Sequence, residues 1–249
     1  MKIPISISPC PIIEAIVEVR FESQIDDGAV FGMIFNSIKD DFKKTLDLPI
    51  LSLPSDVRRK DPNLMFLPWY RLESISDKNT LMQVGPRTLS IISSKVDSDW
   101  TYPGWNKFSS AINFGIQKLK ESGVANTVKR VSTRYINFFE ENILIKTNFS
   151  ILLEDTKLNP LNSNLRFEIP DGDFVNIVSV GNNVIRQLDN KIERGSVIDI
   201  DTYFDKELLN FFDDHESLIN KSHDIEKKMF YRIVSKDYLS SLKDVKYAD

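Results

Sequence analysis

Apolar and charged positions alternate through residues 11–22, which marks this segment as a strand. The apolar positions are Ile13, Ala15, Val17, Val19 and Phe21, and the positions between them are Glu14, Ile16, Glu18, Arg20 and Glu22. A period of two places the two sets on opposite faces of a strand. The pattern therefore predicts a half-buried strand with a dense charged row on its outer face.

The remaining patterns of the first half predict five further elements. They are a helix over residues 28–42, strands over 66–76 and 80–94, a helix from Trp105 to a capping Gly123, and a strand over 128–139. A loop is expected over 47–64, which is rich in proline and charge. Gly85 and Pro86 predict a bulge or sharp bend within the second of these strands. Strand, helix, strand, strand, helix, strand is the order of a split βαββαβ-like arrangement on an antiparallel sheet.

The second half is predicted to be an antiparallel meander followed by a long C-terminal helix. Short alternating runs predict strands over 149–154, 165–169, 174–180, 184–189 and 196–204, with turns at 170–172 and 181–183. Apolar spacings of three and four predict the helix from Leu208 to Ile233, and Ser235 is placed to cap a last short helix. We therefore expect an α+β fold, with a half over residues 1–142 and a half over 143–249 packed together as one compact unit.

Composition indicates an ordinary folded protein of a reducing compartment. Hydrophobic residues make up 41% and charged residues 27% of the 249 positions, close to the globular average. Cys10 is the one cysteine, so no internal disulfide can form. The start of the chain lacks a signal-peptide pattern and no apolar run is long enough to span a membrane. We predict a cytoplasmic protein that does not bind membranes.

Several chemistries are disfavoured by what the chain contains. A formal net charge of −4 disfavours non-specific nucleic-acid binding. His215 and His223 are the two histidines, which is too few for a zinc site of the usual type, and structural roles suit both. No glycine-rich phosphate loop is present. No cofactor is predicted, and the lack of catalytic motifs favours a protein that is not an enzyme.

Two carboxylate pairs are the candidates for metal binding or acid-base chemistry. Glu14 and Glu18 share the outer face of the first predicted strand, and Asp199 and Asp201 alternate along a later one. Paired carboxylates on neighbouring strands can hold Mg²⁺ or divide acid and base roles. Alternating charges are equally typical of a solvated strand face, so both interpretations stay open.

A second polar set and three aromatic residues are candidates for binding. The polar set is Arg20, Arg87, Arg134 and Asn137, and the aromatic residues are Trp69, Trp100 and Tyr102. Salt bridges from Arg20 or Arg134 to Glu14 or Glu18 would satisfy the arginines, whereas a network open to a groove would bind an anion or a peptide terminus. The aromatic residues lie next to prolines or loops and are candidates for a binding surface, with core packing as the alternative.

Several landmarks together resemble a sporadically distributed family of uncharacterised prokaryotic proteins. They are the segment at 11–21, Gly85-Pro86-Arg87, Tyr102-Pro103-Gly104-Trp105, Arg134-Tyr135-Ile136-Asn137, the strand at 198–201, and His223 with Phe230 before the turn at 234–236. The resemblance covers nearly the whole chain. It implies a gene of mobile-element, toxin-antitoxin or phage-defence neighbourhoods, and it brings no reaction and no catalytic residue.

Three functional hypotheses follow. The first is a non-enzymatic interaction protein that binds a protein partner, encoded nearby, through a sheet edge or groove. The second is a metal-dependent enzyme acting on nucleic acid or nucleotides through the two carboxylate pairs. The third is a small-ligand sensor with a pocket between the sheet and the C-terminal helix. The sequence leaves a homo-oligomer open.

Overall fold

The computed structural model describes residues 2–62, 64–158, 160–188 and 191–247. Asn63 in the predicted loop and Asp189 at the end of a predicted strand lie outside the described residues. The α-helices of the described ranges are α1 (Asp27–Ile38), α2 (Ser55–Lys60), α3 (Trp105–Ser122), α4 (Phe211–Ile233) and α5 (Lys236–Ser241), and 3-10 turns cover Pro49–Ser52 and Ile143–Lys146. No helix among these residues is long and apolar enough to cross a membrane.

The strands form one large antiparallel sheet and two small pairs. In chain order they are β1 (Pro4–Ser8), β2 (Ile12–Glu22), β3 (Phe42–Asp47), β4 (Tyr70–Ser74), β5 (Thr80–Gly85), β6 (Thr88–Ser94), β7 (Thr127–Phe139), β8 (Leu152–Leu153), β9 (Thr156–Lys157), β10 (Asn164–Asp171), β11 (Phe174–Leu188), β12 (Lys191–Phe204) and β13 (Asp244–Tyr247). Within the described ranges the large sheet has nine strands in the order β10-β11-β12-β7-β2-β6-β5-β4-β3, while β1 pairs with β13 and β8 with β9. The predicted α+β class is confirmed.

The apolar row of β2 lies at the centre of the core. Ala15, Val17, Val19 and Phe21 have no exposed surface and pack in one cluster with residues of α1 and α3. The long helix α4 continues this layer over β7 and β12. The helices α1, α3 and α4 therefore cover one face of the sheet, the inner face, and the charged row of β2 lies on the opposite, outer face.

Two predicted helix caps are confirmed. Gly123 follows α3 in the left-handed region at φ 66°, a conformation that favours glycine. The Ser235 hydroxyl accepts the backbone N–H of Tyr238 at 3.1 Å and so caps α5.

Parts of the first half differ from the predicted elements. The predicted strand over 80–94 is a hairpin of two strands, because Gly85 pairs with Thr88 and the intervening Pro86 and Arg87 make a tight turn, which is the sharp bend predicted there. Glycine is required in this turn, since a Cβ at Gly85 would lie 2.6 Å from the carbonyl oxygen of Leu67. The first helix ends at Ile38, and Phe42, the last residue predicted for it, begins β3 instead. The predicted loop contains α2.

The predicted turn at residues 181–183 is wrong, because β11 runs through it as a bulge. Pairing with β12 passes from Gly181 directly to Val184, and Asn183 takes a positive φ of 55°. The pairing of β12 with β7 begins at Ser196 in chain order, so the residues of β12 before Ser196 pair with β11 alone. We call residues 184–188 and 191–195 the hairpin arm.

Candidate functional site

Seven charged side chains on three adjacent strands make up an acid–arginine row on the outer face of the sheet. They are Glu14, Glu18 and Arg20 on β2, Arg130 and Arg134 on β7, and Asp199 and Asp201 on β12. The registers of β2 with β7 and of β7 with β12 bring them together. The sequence predicted the members on β2, Arg134 and the two aspartates, but not Arg130.

Arg134 and Asp199 form a two-bond ion pair at one end of the row. The Nε of Arg134 donates to one carboxylate oxygen at 2.8 Å, and Nη2 donates to the other at 2.6 Å. Parallel bonds of this kind are among the stronger charge-assisted contacts. The hydrogen bond to Asp199 also raises the pKa of Arg134. Both oxygens of Asp199 are therefore engaged.

Arg130 connects Glu18 to Asp201 at the other end of the row. Its Nη1 lies 3.1 Å from Glu18 and its Nη2 lies 2.7 Å from Asp201. Arg20 donates through Nε to the same Glu18 oxygen at 2.6 Å, and its guanidinium stacks on Phe66. Glu18 thus lies between two arginines.

Glu14 is the one acid of the row without an ion pair among the described residues. Burial raises its pKa, while a hydrogen bond from Ser94 and the charges of Arg134 and Arg71 act in the opposite direction. Because burial outweighs these favourable contacts, the site favours the neutral carboxyl of Glu14 more than bulk water does.

The expected salt bridge from Arg20 to Glu18 is present. The partner of Arg134 differs from the expected ones, because Asp199 on β12 lies closer to it than Glu14 or Glu18 on β2. Guanidinium groups also occupy three of the four carboxylates that the metal hypothesis needs, those of Glu18, Asp199 and Asp201. No group of three or more histidine, cysteine or acidic residues in the described ranges is arranged to hold a metal ion.

Three other predicted residues lie apart from the row. Asn137 is buried and its side-chain amide donates to the carbonyl of Ile198 at 3.2 Å. Tyr102 packs into the core cluster, and its hydroxyl lies 3.0 Å from that of Tyr135. The backbone N–H of Trp100, which is half-buried, donates to Asp97. Tyr102 is therefore half-buried against the core cluster, in line with core packing, the alternative that the sequence left open.

Arg87 and Trp69 meet in a pocket that we call the arginine pocket. Its volume is about 240 Å³, and its lining includes Arg58, Arg59, Arg87, Trp69, Asp26 and Asp27. The guanidinium of Arg58 lies over the Trp69 ring, 4.3 Å from the ring centroid. The pocket combines one predicted arginine and one predicted tryptophan with basic residues of α2.

The sequence did not identify Arg58 as a binding residue. The run Arg58-Arg59-Lys60 in a predicted loop is typical of a solvated surface. In the structure these residues end α2, which directs Arg58 onto Trp69. The sequence signal for α2 was Pro54 followed by six residues without glycine or proline, since a proline often lies at a helix start.

Exposed apolar side chains concentrate in one part of the chain. Among the described residues, eight of the eighteen exposed large apolar side chains lie between 145 and 192. They are Ile145, Leu152, Leu153, Leu158, Leu161, Phe167, Ile185 and Ile192. This segment contains the free edge strand β10 and most of the hairpin arm.

Ile185 and Ile192 share one face of the hairpin arm. Ile185 is opposite Arg194 and Ile192 is opposite Gln187, so the two isoleucines are diagonal neighbours. Their exposures are 57% and 73%. On the other face of the arm, Arg186 pairs with Glu193 and stacks on Phe138.

The ion pair between Arg186 and Glu193 joins the two strands of the arm, and the stacking of Arg186 on Phe138 connects the arm to β7. Comparison of the chain with protein-family models, curated proteins and solved structures gives no match.

Proposed function

We propose that this chain is a non-enzymatic interaction protein whose partner is another protein, bound at the hairpin arm and the adjoining edge strand β10. The resemblance to a prokaryotic family of patchy distribution supports a partner encoded in the same mobile-element, toxin-antitoxin or defence locus. The observation that carries the proposal is the exposed pair Ile185 and Ile192 on a defined arm.

Exposed apolar groups of this kind favour a protein partner for a physical reason. Each isoleucine that leaves water on binding contributes about 1.5–3 kcal/mol. Monomeric proteins seldom keep apolar clusters on one surface, and such clusters mark interaction sites. Ile185 and Ile192 lie on a short two-stranded ribbon, so they give a partner an ordered surface, which lowers the entropy cost of association.

The edge strand β10 offers a second means of attachment. It pairs with β11 on one side, and the backbone groups on its other side face away from the sheet. An extended segment of a partner can add to such an edge through main-chain hydrogen bonds. Phe167 on this strand is also exposed and would give the contact side-chain selectivity.

The test is affinity capture from the native host at native expression, with the wild-type chain and the double variant Ile185→Ser, Ile192→Ser. We expect a stoichiometric protein partner with the wild type and loss of that partner with the double variant. Ile75→Ser is the matched control, because Ile75 is 61% exposed but lies at the end of β4, across the sheet from the arm.

Equal capture by all three proteins would overturn the role of the arm, and absence of any stoichiometric partner would overturn the proposed function. Light scattering of the purified chain separates a second copy from a different protein. Circular dichroism of each variant shows that the fold is retained.

A further inference from the structure

We infer that the arginine pocket binds a small phosphorylated molecule through Arg58 and Arg87. The pocket lies beside α2 and the turn between β5 and β6. It is separate in the chain from the hairpin arm, so the inference does not depend on the proposed protein partner.

The first argument is the unpaired charge of Arg58. Its Nε and Nη1 atoms are buried and have no hydrogen-bond partner among the described residues. A buried guanidinium without an anion costs several kcal/mol, so such groups are normally paired. Arg58 lines the pocket, so an anion bound there would lie beside its guanidinium and compensate this charge.

The second argument is the distribution of the other charges. Arg59 lies 3.1 Å from Asp27 and 3.5 Å from Asp26, so one guanidinium already serves both acids of the pocket. Asp26 also accepts the backbone N–H of Gly28 at the start of α1. Of the three arginines that line the pocket, Arg58 and Arg87 are left without a carboxylate partner in the described part of the chain.

The third argument is that the Arg58 guanidinium and the backbone of Arg87 are held in place. Trp69 is buried and supports the Arg58 guanidinium from below. Arg87 is in the tight turn whose Gly85 lies against the backbone of Leu67, and its own carbonyl accepts the N–H of Phe21 at 3.0 Å. Preorganised donors lose little entropy when an anion binds.

Charge and size together define the ligand class. A phosphate monoester carries −1.5 to −2 charges at neutral pH and accepts several strong hydrogen bonds, which matches two guanidinium groups. Asp26 and Asp27, which also line the pocket, would repel a longer polyphosphate. The volume of about 240 Å³ is below the usual range for drug-sized ligands and leaves room for a phosphate with a small organic group.

The experiment is calorimetric titration of the full chain with inorganic phosphate, ribose 5-phosphate and acetate. We expect binding of both phosphates and weaker binding of acetate. Arg58→Gln and Arg87→Gln should each weaken phosphate affinity by about tenfold or more, since each removes charge-assisted hydrogen bonds. Arg166→Gln is the matched control, because it removes an exposed arginine from β10 at the far edge of the sheet.

The outcomes are distinct. Tighter binding of ribose 5-phosphate assigns the pocket to an organic phosphate, and equal binding assigns it to the free anion. Equal affinity in all variants, or equal binding of acetate and phosphate, overturns the inference. Thermal unfolding without ligand distinguishes a lost site from a lost fold, and Arg58→Lys, which keeps the charge, should bind between wild type and Arg58→Gln.

Discussion

The imidazole of His223 lies flat against the indole of Trp105, with ring centroids 3.9 Å apart and planes 2° from parallel. The hydroxyl of Tyr135 is 3.1 Å from His223 Nδ1, and the indole N–H of Trp105 donates to Asn220 at 2.7 Å. These contacts connect α3, α4 and β7. His223 therefore has the structural role that suits an isolated histidine in this sequence.

We predict that His223 makes the fold sensitive to acid. Burial lowers the pKa of His223 to about 4 from its usual 6.5, with a smaller contribution from the charge of Lys227. The unfolded chain binds the proton first, so the free energy of unfolding falls as pH drops from about 6.5 to 4, by roughly 3 kcal/mol for this group.

Urea denaturation at several pH values measures this effect. His223→Gln should remove that part of the pH dependence, whereas His215→Gln on the same helix should keep it. The same acid slope in both variants would contradict the prediction.

Glu226 should act in the opposite direction. It is buried on α4, and this burial raises the pKa of its carboxyl well above the usual value. A carboxyl whose pKa is raised by folding stabilises the fold at low pH, and that contribution is lost as pH rises above about 4.5. Glu226→Gln should therefore raise the stability at pH 8, by about 1–3 kcal/mol.

The gain should shrink as the pH approaches 4.5, where the wild-type carboxyl is protonated. Asp224→Asn changes an exposed acid of the same helix and should leave stability nearly unchanged. Lower stability of Glu226→Gln at pH 8 would show that the charged carboxylate has a stabilising partner.

Arg130→Gln should destabilise the fold. Arg130 and Asp201 are each 19% exposed. Without Arg130, Asp201 loses its ion-pair partner and Glu18 keeps only Arg20. We expect a loss of about 2–4 kcal/mol, since breaking a largely buried pair leaves an uncompensated charge. Arg166→Gln breaks the pair with Glu168, which is more than half exposed, and should cost less than about 1 kcal/mol. Similar losses would mean that the acid–arginine row is as solvated as β10.

Gly195→Ala should disturb the base of the hairpin arm. A Cβ at Gly195 would lie 2.0 Å from the carbonyl oxygen of Phe139, so the pairing of β12 with β7 must shift. We expect a loss of about 1–3 kcal/mol or more in thermal or urea unfolding. Gly32→Ala is the control, because nothing lies within 4 Å of its added Cβ in α1 and alanine should stabilise that helix by about 1 kcal/mol. A neutral effect at Gly195 would indicate that the arm moves without cost.

Local patterns predicted the parts of the fold that depend on near neighbours. The alternation in β2 separates Val17, which is fully buried, from Glu18, which is half-buried. The glycine at 123 ends α3 because a left-handed residue without a side chain costs little there. Each of these features is determined within a few residues.

Features that depend on distant partners were not predictable in this way. Arg134 pairs with Asp199, which is 65 positions away, and only the neighbouring positions of β7 and β12 bring them together. Asn182 illustrates the same limit, since an asparagine next to Gly181 is typical of a turn. Its side chain instead bonds Ser163 and Pro160, so the bulge is held by the neighbouring segment. The basic run containing Arg58 gave no sign of the ring against which it packs.

The position of β7 has a consequence for any shortened version of the chain. β7 lies between β2, from the beginning of the sequence, and β12, from its later part. A fragment that stops at residue 142 would expose the edge of β7 over the eight positions that pair with β12, and would leave Arg134 without its aspartate. Such an open edge recruits other strands, so the fragment should self-associate, and a nascent chain paused there would depend on a chaperone until β12 emerges.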